Sequence, residues 1–284
     1  MADCSYSDVA TLKRRFAIAD ANTIDDTRLH QILRAVTEKL EGPGGCRRHF
    51  AVRQATRYYS GSPAMPGRLS VEDLLSVTSM AIDQGGSGTY DATLASDDYL
   101  LWPYEDDRWP KLAIELDART GTYREWPRTQ RAVQVIGTWG YGDGQSATPY
   151  HDSGATVTVA TATATTATVS DAALLAVGQT VLVGSEQMYL TGLVNGTTDS
   201  ATVKRGANGT TAAAHTSAAA AYVYDYPDAL REACLLQAMR IYLRNKAPFG
   251  VLGTGSMETP VVIPKLDPDV QAMIADAGLI RRRY

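Results

Sequence analysis

The spacing of apolar positions changes along this chain, from every third or fourth residue to every second and back again. Between residues 7 and 19, Val9, Leu12, Phe16 and Ala19 share one helical face while Lys13, Arg14 and Arg15 point elsewhere. Next comes Thr23-Ile24-Asp25-Asp26, in which the threonine oxygen can accept from the free N–H groups of a first helical turn. Leu29, Ile32, Leu33, Val36 and Leu40 then repeat the pattern as far as Gly42-Pro43. Together these segments predict an N-terminal helical hairpin over 7–42. From about residue 48 the period falls toward two. Runs at 50–59, 69–80, 99–102, 111–116 and 132–139 are rich in Val, Ile, Tyr, Thr and Trp, and turn clusters separate them. They predict an antiparallel β-layer over 50–140.

At residue 151 the composition shifts. Residues 154–170 are almost entirely Ala, Thr and Val, and charge is scarce until Asp225. Strand patterns at 176–183, 186–190 and 203–206, with Gly and Asn-Gly turns, predict a small all-β domain over 151–226. It reads as an insertion, so its two ends should lie close together.

The helical period returns at 228–246. Asp228 and Glu232 suit the positive end of the helix dipole, Arg244 and Lys246 suit the last turn, and Pro248 with Gly250 ends the helix. In the first half the polar residues Asp228, Arg231 and Glu232 share one side. In the second half Gln237, Arg240 and Arg244 lie on nearly the opposite side. That switch predicts one half packed on this chain's own core and the other on a neighbour; a helix buried all round within one chain is the alternative. Residues 247–265 predict an extended arm, and Pro268 opens a short helix over 269–277 ahead of Arg281-Arg282-Arg283-Tyr284. The fold class is therefore α+β, with a core formed by 1–150 and 227–284 and interrupted by the all-β domain at 151–226.

Charge and chemistry narrow the function. A net charge of −4 over 284 residues argues against a protein that coats nucleic acid. Cys4, Cys46 and Cys234 are an odd, widely spaced set that suits a reducing cytoplasm rather than a disulfide framework. Cys46 and His49 make one C-x-x-H pair with no second pair, so zinc is not expected. No run approaches 18 apolar residues and no signal-peptide layout occurs, so a soluble chain is expected. Gly140-x-Gly142-x-Gly144 lacks the spacing of a dinucleotide loop. Asp97, Asp98, Glu105, Asp106 and Asp107 could supply a glycosidase acid and base or cation ligands, but such a run is more often a solvated loop. His30 is expected on the polar side of the second helix, and His151 and His215 have no evident partner. The expectation is no enzyme, no cofactor and no metal.

Several segments carry a resemblance through their order. They are Leu69-Ser70-Val71-Glu72-Asp73-Leu74-Leu75-Ser76-Val77 leading to Asp98-Tyr99-Leu100-Leu101-Trp102-Pro103, then Trp139-Gly140-Tyr141-Gly142, Pro227-Asp228-Ala229-Leu230-Arg231-Glu232-Ala233 and Lys246-Ala247-Pro248-Phe249-Gly250. The chain resembles the head–tail connector (head-completion or adaptor) proteins of tailed phages. Gly184-Ser185-Glu186-Gln187-Met188 and Arg205-Gly206-Ala207-Asn208-Gly209 resemble a small β-barrel-like module of phage structural proteins. The β-layer at 50–140 matches only larger connectors.

The resemblance implies a homo-oligomeric ring, usually of twelve, beneath the portal protein in the virion neck, assembled in the host cytoplasm without a membrane. Packaged double-stranded DNA would pass through it without sequence-specific binding, and a tail-completion or stopper protein would dock on it. On that reading the interface with portal or neighbour involves Arg240, Tyr242, Arg244, Phe249, Arg281, Arg282, Arg283 and Tyr284. Two rival expectations are a glycan-binding adhesion module using Tyr189 or Tyr222 of the β-domain, and a hydrolase using the acidic loop at Asp97 and Glu105.

Overall fold

The computed structural model describes residues 3–244 and 266–281. It is mixed α+β, with four helices, an antiparallel sheet and a closed antiparallel barrel among those residues. The arm expected at 247–265 falls outside them.

The sheet is built from β1 (Arg53–Tyr59), β2 (Arg68–Ile82), β3 (Ala92–Thr93), β4 (Tyr99–Trp102), β5 (Lys111–Leu116) and β6 (Val133–Trp139). Its order is β1-β6-β2-β5-β4, with β3 also on β2, and every pairing is antiparallel. The period of two sorts the side chains: Val133, Val135 and Trp139 enter the core with Ile114 and Met80, while Gln134, Ile136 and Thr138 take the other face. Trp139 is fully buried, and its Nε1 donates to the Ala55 carbonyl at 2.9 Å.

The barrel comprises β7 (Tyr150–Val159), β8 (Thr166–Val169), β9 (Thr180–Val183), β10 (Glu186–Val194), β11 (Ser200–Lys204) and β12 (His215–Tyr224). It closes in the order β10-β11-β8-β7-β12-β9, which leaves no sheet edge. Its interior is filled by small side chains such as Ala155, Val157, Ala167, Val181, Ala201, Val203 and Ala221, with Met188 and Leu190. The Ala/Thr/Val run at 154–170 is therefore two strands of a narrow barrel wall. Tyr150 pairs with Tyr224, so the ends of the module are adjacent.

The helices are α1 (Val9–Arg15), α2 (Asp26–Glu41), α3 (Asp228–Arg244) and α4 (Pro268–Asp276). Asp8 caps α1 by accepting from the Thr11 N–H at 2.7 Å. The helix stops at Phe16, before the expected Ala19, because Ala17 turns to a φ of 53°. Asp25, rather than Thr23, occupies the cap of α2, whose buried face is Leu29, Ile32, Leu33, Val36, Thr37 and Leu40.

Contacts divide the chain differently from the boundaries read in the sequence. The helices and the barrel form one compact unit, drawn from 1–48, 150–207 and 211–284, and the sheet forms the other, at 49–149 with 208–210. The N-terminal segment fastens α1 and α2 to the barrel. Val9 N–H donates to the Val177 carbonyl at 2.9 Å, Thr180 Oγ1 donates to the Asp3 carbonyl at 3.1 Å, and Lys204 pairs with Asp3 at 2.8 Å. These bonds join residues 168 to 201 positions apart, which no local pattern announces.

Candidate interface on the long helix

α3 is apolar on most of its circumference, and its own chain covers much of it. Leu230, Ala233, Cys234, Leu235, Gln237, Ala238 and Tyr242 are buried, with α1, α2 and α4 all in contact with the helix. The change of buried face halfway along is thus met by helices of the same chain, α4 included, and this corrects the expectation that a neighbour must supply the second half. What stays uncovered is a stripe one turn apart: Leu236 and Met239 are half-buried and Leu243 is 49% exposed. Ile24, in the turn before α2, is 89% exposed. It precedes Asp25, whose carboxylate accepts from the Tyr242 hydroxyl near the end of α3.

Four of the eight residues expected at an interface are described. Tyr242 faces inward: its hydroxyl donates to Asp25 Oδ2 at 2.6 Å, its ring lies 4.8 Å from that of Phe16, and Arg28 sits over it at 5.3 Å. The Asp25 carboxylate and burial raise the phenol's pKa above its ordinary value. Arg240 is committed to α4, pairing with Asp267 and, at 3.0 Å, with Asp269. Arg281 is half-buried, and its N–H donates to the Cys46 carbonyl at 2.8 Å. Arg240 stays partly exposed beside the Asp267 and Asp269 carboxylates, and Arg244 projects as a second exposed charge. It also helps burial to lower the pKa of Lys39, so the C-terminal end of α3 is locally positive. Phe249, Arg282, Arg283 and Tyr284 lie outside the described residues.

Other titratable groups that looked isolated in sequence have partners. His30 shares a 2.6 Å hydrogen bond with the Tyr189 hydroxyl, which continues to Ser5 at 2.8 Å, so it is not a solvated face residue. His151 pairs with Asp225 at 2.9 Å. His215 approaches the buried carboxylate of Glu186 at 3.1 Å. Tyr189 is 1% exposed, and its hydroxyl is pushed up to about 12 by burial. It cannot present a flat ring to a glycan, and Tyr222 packs edge-on against Tyr150.

In the sheet unit, the expected acidic run divides in two. Asp98 is spent on backbone, accepting from Thr122 and Ala95 N–H groups, which lowers its pKa. Glu105, Asp106 and Asp107 sit on an exposed loop held from beneath by Lys111, whose buried Nζ donates to the carbonyls of Pro103 and Glu105 at 2.8 and 2.6 Å.

A cleft of about 840 Å³ lies between α1 and the barrel, lined by Lys13, Arg14, Asp26, Leu174, Gly178 and His151 among others. Its charges are mixed, and Lys13 is already engaged by Asp26 at 3.0 Å and by the Asp20 carbonyl at 2.8 Å. Among the described residues no group of three or more His, Cys, Asp or Glu is placed to hold a metal ion. No helix among the described residues is long and apolar enough to cross a membrane.

No family model, no curated protein and no solved structure matches this chain.

Proposed function

We propose that the chain is a head–tail connector of a tailed phage or phage-like particle. On this reading copies form a ring, usually of twelve, under the portal protein; the ring extends the channel for double-stranded DNA and receives the tail-completion or stopper protein. Residues 1–150 and 227–284 would be the connector core, with the barrel as an inserted module. The single observation that carries the proposal is the apolar stripe of Leu236, Met239 and Leu243. It lies beside the helix face that its own chain already packs, and it runs to a positive end at Arg244. A monomer gains nothing by leaving such a stripe in water, at about 25 cal/mol per Å² of apolar surface. A ring subunit gains by covering it with a neighbour. The order of sequence segments set out above points the same way.

The test is electron microscopy of particles made when a nonsense codon interrupts this gene early. DNA-filled or leaking heads without tails are expected. Complete particles that fail to adsorb would overturn the reading and move the function to the barrel.

A further inference from the structure

Residues 266–281 have the properties of a docking peptide. The nine-residue α4 is too short to persist alone in water, so its helix depends on what it sits on. Its start is built in: Asp267 Oδ1 accepts from the Asp269 N–H at 3.1 Å, and Pro268 occupies the first turn. Its apolar side is also complete within the segment, since Leu266, Val270, Ile274 and Leu279 are all buried. The seat on α3 is selective. The buried Gln237 side chain accepts from the Asp267 N–H at 3.1 Å, and Arg240 faces both Asp267 and Asp269. A cation therefore meets the acidic start of the incoming helix.

Connectivity does not demand that this seat and this peptide belong to one chain. α4 contacts α3 at Gln237 and Arg240, within two turns of the end of α3 at Arg244. A helix-to-helix return of that kind needs roughly 2–8 residues. The chain supplies 21, residues 245–265, enough to reach on the order of 70 Å if extended. The surplus is what crossing to another subunit requires.

Resting on the ring reading above, we infer that residues 266–281 are an exchangeable element that, in the assembled oligomer, seats on the Gln237–Arg240 face of a second copy's α3. In a closed ring each copy then gives one peptide and receives one, so no seat is left empty. The contact described within one chain and the contact between chains use the same atoms.

The test uses two full-length chains with different affinity tags, one carrying Arg240→Cys and the other Asp269→Cys, co-expressed and treated with a short bis-maleimide. The native thiols of Cys4, Cys46 and Cys234 are buried and leave a low background. A covalent two-chain product carrying both tags is expected, at least five-fold above the same two tags on chains without the introduced cysteines. The double variant R240C/D269C reports whether docking survives the substitutions. If that variant links only within its own chain, and the mixed singles give no two-tag product, exchange is overturned. Tailless filled heads from the nonsense mutant would still support the connector reading, so the two failures are distinguishable.

Discussion

Glu186 and Arg205 meet in the barrel wall through two parallel hydrogen bonds, Nε to Oε1 and Nη2 to Oε2, each 2.8 Å long. The carboxylate is fully buried and also accepts from the N–H groups of Gly206 at 2.9 Å and Ala213 at 3.0 Å. Arg205 in turn donates to the carbonyls of Thr161 and Ala164. One ion pair thus gathers four separate stretches around a barrel whose interior side chains are small.

Burial alone would raise the Glu186 carboxyl, but the bonds from Arg205, Ala213, Gly206 and His215 outweigh it and pull the pKa from 4.5 down to about 2. A depressed carboxylate stabilises the fold above its unfolded pKa, and that contribution is lost as pH falls from 4.5 toward 2. At about 1.4 kcal/mol per unit, roughly 3 kcal/mol is at stake. Urea midpoints measured between pH 6 and pH 3 should therefore fall steeply in the native protein. Glu186→Gln should lose about 3–5 kcal/mol at pH 7, because the Arg205 charge is left uncompensated, and its remaining stability should vary less with pH in that window.

In the sheet unit the backbone of Gly140, at φ 139°, runs so close to residue 51 that a Cβ would collide with the Ala51 carbonyl oxygen. Gly140→Ala is expected to cost about 2 kcal/mol or more, read as a shift in thermal midpoint. Gly85→Ala, where a Cβ would meet nothing within 4 Å, should stay within about 0.5 kcal/mol of the native protein.

Neighbouring positions on α3 should behave oppositely. Leu243→Glu places a charge on the exposed stripe, so stability should change by less than about 0.5 kcal/mol while assembly is lost, as measured by analytical ultracentrifugation. Tyr242→Phe removes the hydroxyl bonded to Asp25, so it should cost about 1 kcal/mol of stability and leave assembly unchanged.

The sequence by itself determined most elements and their type. Runs rich in Val, Ile, Tyr, Thr and Trp between turn clusters located β2, β4, β5 and β6 to within two residues, and in β6 the one buried face shows as strict alternation. Heptad-like spacing and breaker residues did the same for α2 and for the start of α3. β12 was not legible. His215-Thr216-Ser217-Ala218-Ala219-Ala220-Ala221 has no alternation and little β propensity, and it becomes a strand only because β7 and β9 flank it in the closed barrel.

Only the tertiary structure decided how side chains distant in sequence pair. Gln237, Arg240 and Arg244 read as one polar side, and Arg240 and Tyr242 as interface residues, yet α4 engages Gln237 and Arg240 and the turn before α2 engages Tyr242, while Leu236 and Met239 stay only half-buried and Leu243 exposed. Glu186 found Arg205 and His215, and His30 found Tyr189, across loops and strands that no spacing rule links. Local periodicity fixes which face of an element is apolar. Which neighbour covers that face is set by packing between elements far apart in the chain, and that is a property of the folded molecule alone.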